Sequence, residues 1–426
     1  MSKKLDLKTL CDAVSGSGVA FRCCVKLQPA GGDGTKVFPP TYAGAVYATE
    51  KRRLPGRAEP VECVLLDSVQ SQANRMEEAL QQALDTKRLK MPVIDVDFTP
   101  FFQGGDRKGD MTLLDPVGRV SSLQAPHRVA DAILRDSLWK GVAFRKSEIG
   151  ERIALVTARD ATALFEYCPT ALVFGMWDST GPKGGLGAKF ERAIVGEIVG
   201  IDAVYGVKTS SRIDPLGIQL KAGPLYARSD GSGWTLDESL AKKEKEKPVT
   251  LGKDGRPSEA NHGNVKPDLK DKKGQPYPGG VTISHAEQTV VLSLPALRRL
   301  HFPVDDKYEP EFDNAARTVL AALGLSAATL AAEAGLDLRS RCLLWPVEPL
   351  TWSLLGKPGE TPADLELDGE TAIKLLGEAV TQAKAYRLPW HDDPIVLTPS
   401  DDLVKLVVKS QHLMAQQGGE TGEGGD

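Results

Sequence analysis

Between Val61 and Leu84 the chain changes its hydrophobic period. VECVLL, residues 61–66, is a continuous apolar run of the kind that forms a buried strand. After it, Val69, Ala73, Met76, Leu80 and Leu84 recur at helical spacing, which predicts an amphipathic helix with that face on the core. Asp67 or Ser68 stands where a helix N-cap belongs. Ser71, Asn74, Arg75 and Glu78 fall on the opposite face. That face is either solvated surface or the partner of something polar and anionic.

The same reading extends along the chain. SGVAFRCCVKLQP (17–29) predicts a strand, PAGGDGTKVFPPTYAG (29–44) a Gly- and Pro-rich loop, and MPVIDVDF (91–98) a strand of period two. With 61–84 they give strand, long loop, strand, helix, strand, the pattern of an α+β sandwich. SSLQAPHRVADAILRDSLWK predicts a helix with Pro126 in its first turn and Ala130, Ile133, Leu134 and Leu138 as its apolar stripe. RIALVT (152–157) and TALVFGMW (170–177) read as strands, and AIVGEIVGIDAVYG as a strand pair or one long bent strand. VTISHAEQTVVLSLPALRRL predicts a strand and then a helix. The rest is mainly helical, in EFDNAARTVLAAL, SAATLAAEAG, ETAIKLLGEAVTQAKAY and TPSDDLVKLVVKSQHLM, the last with Thr398 as N-cap and Pro399 at the first helical position. Gly223 to Gly280 contains AKKEKEKP and KPDLKDKKGQPYPGG, too polar and punctuated for a core, so a flexible insertion is expected there. The terminal GGETGEGGD is expected to be disordered. No internal repeat emerges.

A chain of 426 residues has room for two or three domains, and 41% hydrophobic with 26% charged residues is typical of soluble globular proteins. No continuous apolar run approaches the about 18 residues of a membrane span, and MSKKLDLKTLCDAV lacks a continuous apolar core, so the expectation is a cytoplasmic chain with no membrane partner. The six cysteines make no CxxC pair, and Cys23 and Cys24 would point to opposite sides of one strand. The six histidines make no HxH or HxxxH pair. Both facts argue against a disulfide framework or a metal centre, and no cofactor is expected. The net charge is −4, but residues 359–426 alone carry −8, which leaves +4 on the first 358. Gly181 to Arg228 holds seven basic and four acidic residues. A locally basic surface of this sort permits an RNA partner without requiring one.

Four stretches are candidates for chemistry. GPKGGLGAK (181–189) lacks the Gly-Lys-Ser/Thr of a P-loop, and the Rossmann GxGxxG is absent, so it is read as a flexible loop whose Lys183 and Lys189, with Arg192, can grip phosphates. His127-Arg128 can be a general acid/base at a helix start, but no second histidine or carboxylate stands at a matching spacing. KTSSRID (208–214) sets Ser210 beside Arg212, and it is either a phosphate-binding turn or a polar strand end. Phe38, Tyr42 and Trp177 are either core aromatics or platforms for bases. No Ser-His-Asp order and no catalytic carboxylate pair is found.

PPTYAG (39–44), CVLLDSVQSQANRMEEAL (63–80), SSLQAPHRVADA (121–132), FGMWDSTG (174–181) and GGVTISHAEQTVVLSLPALRRLHF (279–302) together resemble, in this order, the backbone subunit of the type I-U Cascade complex, also called type I-G. The resemblance spans about residues 17–346, and LDSVQSQANRMEE and APHR are its most specific parts. It implies an RRM-like, ferredoxin-type palm with finger and thumb insertions and a helical C-terminal region. On that reading 1–98 begin the palm, 99–150 are a finger-like insertion, and 151–222 are palm and basic loops. Residues 223–280 are then the flexible insertion, 281–358 the end of the palm, and 359–426 an acidic helical region with a disordered tail.

The resemblance further implies a protein that is not an enzyme. Copies of it would line up along the spacer of a CRISPR RNA and leave the bases to pair with target DNA. Other Cascade subunits would cap the guide, and a separate nuclease-helicase would be recruited. One protein must then hold any spacer, so its contacts go to phosphate and ribose. Ser71, Gln72, Asn74 and Arg75 are expected to line the groove, with Arg128 from the finger, Lys183, Lys189, Arg192, Ser210 and Arg212 from the loops, and Lys36 from the first Gly-rich loop. The alternatives are an RNA-processing ribonuclease using His127, and a free-standing RRM-like regulator that binds RNA as a monomer.

Overall fold

A computed structural model of the chain describes residues 3–44, 46–102, 111–181, 188–208, 210–269, 274 and 278–420. Lys183 and the end of the tail, 421–426, lie outside the described residues. The fold is mixed α/β and divides into two compact units.

The first unit comprises 1–100, 117–205 and 280–403. Its main sheet has ten strands: β1 (Lys3–Lys4), β2 (Ala20–Pro29), β3 (Thr49–Arg52), β4 (Val61–Asp67), β5 (Ile194–Ile201), β6 (His285–Ser293), β7 (Leu336–Asp337), β8 (Leu343–Pro346), β9 (Trp352–Leu355) and β10 (Ala363–Glu366). They run in the order β1-β10-β9-β2-β6-β5-β4-β3, with β8 pairing both β2 and β7. All the central neighbours are antiparallel, with Cys23 opposite Val290 and Val195 opposite Val291. Along β2, Phe21, Cys23, Val25 and Leu27 are buried, while Arg22, Cys24 and Lys26 are exposed. This is the period-two pattern of a sheet covered on one face.

The covering helices are α1 (Leu7–Ser15), α2 (Val69–Asp85), α3 (Pro310–Glu333) and α4 (Gly369–Ala385). α3 is central: α1, α2 and α4 all pack on it. The two apolar stretches read as separate helices are one, because nothing in GLSA breaks the helix and its burial stabilises it through. It is long and apolar enough to cross a membrane, but 89% of that stretch is buried inside this unit as a core helix. Gly196 on β5 lets α2 approach closely. A Cβ there would lie 3.2 Å from Met76 Cε.

Several expectations need correction. The first half of RIALVT ends a helix, Glu148–Ala154, and runs into a turn, while the first half of TALVFGMW forms the helix Thr170–Val173 and only its Met176–Trp177 are extended. Residues 170–176 are all buried, and such a run does not distinguish strand from helix by period. The helix expected from Pro126 is broken into a 3-10 turn at 128–130 and a short helix at 132–135. Arg128 takes a left-handed φ of 53° and Asp131 is extended, capping the second piece. Thr398 and Pro399 end a strand (Ile395–Pro399), and the cap of the last helix, α5 (Asp401–Glu420), is Ser400, whose Oγ accepts from Leu403 N.

The second unit gathers 101–116, 206–279 and 404–426. Its described part holds two short hairpins, 226–227 with 234–235 and 243–244 with 247–248, and a long-range antiparallel pair, 210–212 with 265–268. Gln411 of α5 anchors the backbone of Leu114 and Asp115 within it.

Candidate nucleic-acid interface

α2 starts where the sequence pattern sets it. Ser68 caps it by accepting from Ser71 N at 3.2 Å, and the two hydroxyls lie 3.2 Å apart. Directly before it Asp67 is fully buried, so its charge requires partners. It accepts from Gln72 Nε2 at 2.6 Å, Arg75 Nε at 2.9 Å and Arg339 Nη2 at 3.4 Å. Gln72 Oε1 in turn accepts from Gln288 Nε2 on β6. Arg75 also donates Nη2 to the Leu338 carbonyl at 2.7 Å, which ties α2 to the 337–338 loop.

Gln72 is therefore an interior residue and does not line an open groove. The helix turns a broader face inward than its apolar residues alone required, because Gln72 and Glu77 find polar partners inside. Arg75 is half-buried, and its guanidinium holds protein to protein. Of the group foreseen on α2, Asn74 is exposed.

Arg128 is likewise internal. Its Nε and Nη2 fork onto the two oxygens of Glu77 at 2.7 and 2.6 Å, and Nη1 donates to the Gly175 carbonyl at 2.9 Å. The guanidinium also lies 5.5 Å from the Phe174 ring centroid. Burial pushes the Glu77 carboxyl up, to about 7, and Arg128 pulls it back. Gly175 has φ 85°, and a Cβ there would meet Phe190 O and Arg192 Cγ at 3.0 and 3.1 Å. Three separated stretches, 63–80, 121–132 and 174–181, thus meet at one buried fork. Sequence reading placed Arg128 on the surface because nothing local announces that Glu77, fifty-one residues away, points inward.

Around this fork the surface is cationic and aromatic. Trp177 is 58% exposed and pairs across strands with Lys189, whose Nζ lies 6.0 Å from the ring centroid. Arg145 holds the adjoining turn through Asp178 Oδ1 at 2.8 Å and the Thr180 carbonyl at 2.6 Å. Lys189 and Arg192 are exposed and take no hydrogen bond or ion pair among the described residues. Such groups are free to take phosphate oxygens, and Trp177 can carry a base on its face.

A second cluster joins Phe38 and Lys36, both foreseen, to Arg341, which the sequence reading missed. Arg341 stacks on Phe38 at 4.1 Å, and Phe38 N donates to the Arg341 carbonyl. Lys36, half-buried, stands two residues before Phe38 and takes no partner among the described residues. The arginines of 339–341 sit in a loop with no periodic pattern, and only the pairing of β8 with β2 brings that loop beside 30–38.

In the second unit, Ser210 and Arg212 form a strand with 265–268, and Arg212 donates Nε and Nη2 to the Gly263 carbonyl at 3.1 and 3.0 Å. His127 is exposed; its backbone N–H donates to Asp131, and its ring takes no hydrogen bond among the described residues. Among those residues no three His, Cys, Asp or Glu side chains are grouped to hold a metal.

Residues 21–205 match the family described as CRISPR-associated protein GSU0053. No curated protein matches the chain.

Proposed function

We propose that this chain, whose residues 21–205 match a CRISPR-associated protein family, is a non-catalytic backbone subunit that binds CRISPR RNA in a type I Cascade complex of the I-U or I-G variety. The observation that carries the reading is the convergence at the Arg128–Glu77 fork. Three of the stretches that resemble such a subunit meet there, and Lys189 and Arg192, which take no hydrogen bond or ion pair among the described residues, stand with Trp177 beside it.

The strand order supports the palm. β2, β5, β6 and β9 come in this order along the chain, with β3, β4 and α2 between the first two and α3, β7 and β8 between the last two. In the sheet they stand β9-β2-β6-β5, all antiparallel, which is the 4-1-3-2 order of a ferredoxin-like βαββαβ unit. Finger and thumb belong to the segments inserted into this path. Exposed cations and one aromatic suit a surface that grips backbone and leaves bases free. Each copy contributes modest contacts, and repetition along the guide supplies avidity. The partners on this reading are CRISPR RNA, target DNA through the guide, further copies of the chain, capping subunits and a recruited nuclease-helicase, in a prokaryotic cytoplasm.

The test is to co-express the chain with guide RNAs, image the product, and incubate purified protein with labelled CRISPR RNA precursor. Protection without cleavage, in assemblies visible as filaments, is expected. Specific cleavage lost in His127→Ala would replace this reading with the ribonuclease. A single short footprint on every RNA would replace it with the free-standing regulator.

A further inference from the structure

A cavity of about 520 Å³ in the first unit, away from the Arg128–Glu77 fork, has the make-up of a ligand site. It opens between the C-terminal half of α2, the strand Ile94–Asp97 and the segment 392–394. Leu84, Leu89 and Val93 supply apolar walls. Asp95 lines it, and alternation explains why: Ile94 and Val96 enter the core, so Asp95 points the other way.

Asp95 is only 9% exposed and takes no hydrogen bond or ion pair among the described residues. The neighbouring groups that could have served are engaged elsewhere. Arg119 pairs with Asp97, Gln81 donates to Asp85, and Lys384 holds Asp392. Its carboxylate oxygens, without a protein donor, are reached only from the cavity, which makes them the acceptors a bound ligand would meet. Desolvation raises its pKa above the ordinary carboxylate range, with Asp85 and Asp97 adding to the rise and Arg119 opposing it.

Lys87 and Lys90 also line the cavity, both exposed and neither paired among the described residues. The occupant therefore needs adjacent N–H donors at one end and a negative charge at the other. A guanidinium or amine alone would leave the lysines unmatched. Four carboxylates (Asp85, Asp95, Asp392, Asp393) against three cations (Lys87, Lys90, Arg119) disfavour a polyphosphate. We infer that this cavity binds a guanine nucleotide carrying a single phosphate group, with the base's N1–H and N2–H groups on the Asp95 carboxylate and the phosphate on Lys87 and Lys90. Guanine is the base whose edge offers two parallel donors to a two-oxygen acceptor.

This inference does not rest on the RNA-scaffold reading, since a free nucleotide tests it without guide RNA. Titrate the full chain calorimetrically with GMP, AMP, CMP, UMP and GTP, and with a short single strand containing one guanine. GMP should bind more tightly than the other mononucleotides and than GTP. Asp95→Asn, which removes an unpaired buried charge and should melt no lower than the parent chain, should weaken GMP by at least about tenfold. Lys87→Ala with Lys90→Ala should weaken GMP while leaving guanosine unchanged. A stronger response to the oligonucleotide than to GMP assigns the site to a nucleotide within a strand, and the reverse assigns it to a free one. No GMP binding, equal binding of all four bases, indifference to Asp95→Asn, or tighter binding of N-acetyl-arginine amide than of GMP would overturn the inference.

Discussion

Arg128 and Glu77 show how one residue's role depends on where its partner sits. The pair is well buried, and the fork satisfies both oxygens of the carboxylate. Removing one partner of a buried pair typically costs roughly 3–5 kcal/mol. Arg128→Ala is expected at the low end of that range, because Glu77, already raised to about 7, can escape by taking up a proton. Denaturant unfolding measures it, and a destabilisation well below about 1 kcal/mol would mean the fork is open to solvent. The pH dependence has a definite sign. Glu77's folded pKa lies above the ordinary 4.5, so the stability linked to its proton is fully present below about 4.5 and is lost as pH rises through about 7. Over that window unfolding free energy should fall with pH more steeply in the parent chain than in Glu77→Gln. Parallel slopes would show that the carboxyl titrates normally. Arg75 carries a similar lesson, because Arg75→Glu would set a second carboxylate against buried Asp67. That variant should lose stability as well as any RNA binding, which makes it a poor probe of the interface.

At the scale of elements, the better probe is the hairpin that pairs Trp177 with Lys189, together with Arg192 just beyond it. Lys189 and Arg192 are exposed and take no hydrogen bond or ion pair among the described residues, but the Arg192 charge also helps hold the Glu77 pKa down, so it is better neutralised than reversed. Lys189→Glu with Arg192→Gln should leave the melting temperature almost unchanged. It should weaken binding of unrelated single-stranded RNAs alike. The slope of log K against log salt should become shallower by about 1.4, since two fewer phosphates are neutralised. Sequence-dependent weakening, or an unchanged slope in a folded variant, would remove the hairpin from the interface. The elements also mark how far periodicity reads. α2 and β2 were legible because one face of each meets the core and the other meets water. The region 148–177 was not, because 170–176 are buried throughout and carry no contrast between faces, and RIALVT is only the end of a helix running into a turn.

For the whole molecule, the prediction concerns assembly. If copies line up on a guide, sedimentation of mixtures with RNAs of increasing length should give discrete species whose mass grows with length. A mass independent of RNA length would refute lining-up. The acidic segment 359–426 belongs to this scale as well. Its helix α4 packs on α3 in the first unit's core and is itself neutral, two glutamates against two lysines, so the segment's charge lies outside that helix, with −4 on residues 359–368 alone.

The sequence by itself determined the amphipathic helix after VECVLL and its Ser68 cap, the alternation of β2, the absence of a P-loop, and a family resemblance that the match over 21–205 bears out as CRISPR-associated. These are local properties, set by spacing and composition along one segment. Tertiary structure alone decided which polar residues turn inward. Gln72, Glu77, Arg128 and Asp95 are as hydrophilic as any surface residue. Burying the first three depends on partners 51 to 216 residues distant, and burying Asp95 without a partner leaves an open site. A charge goes inside only when another part of the chain, or a ligand, arrives to meet it, and no local pattern encodes that arrival.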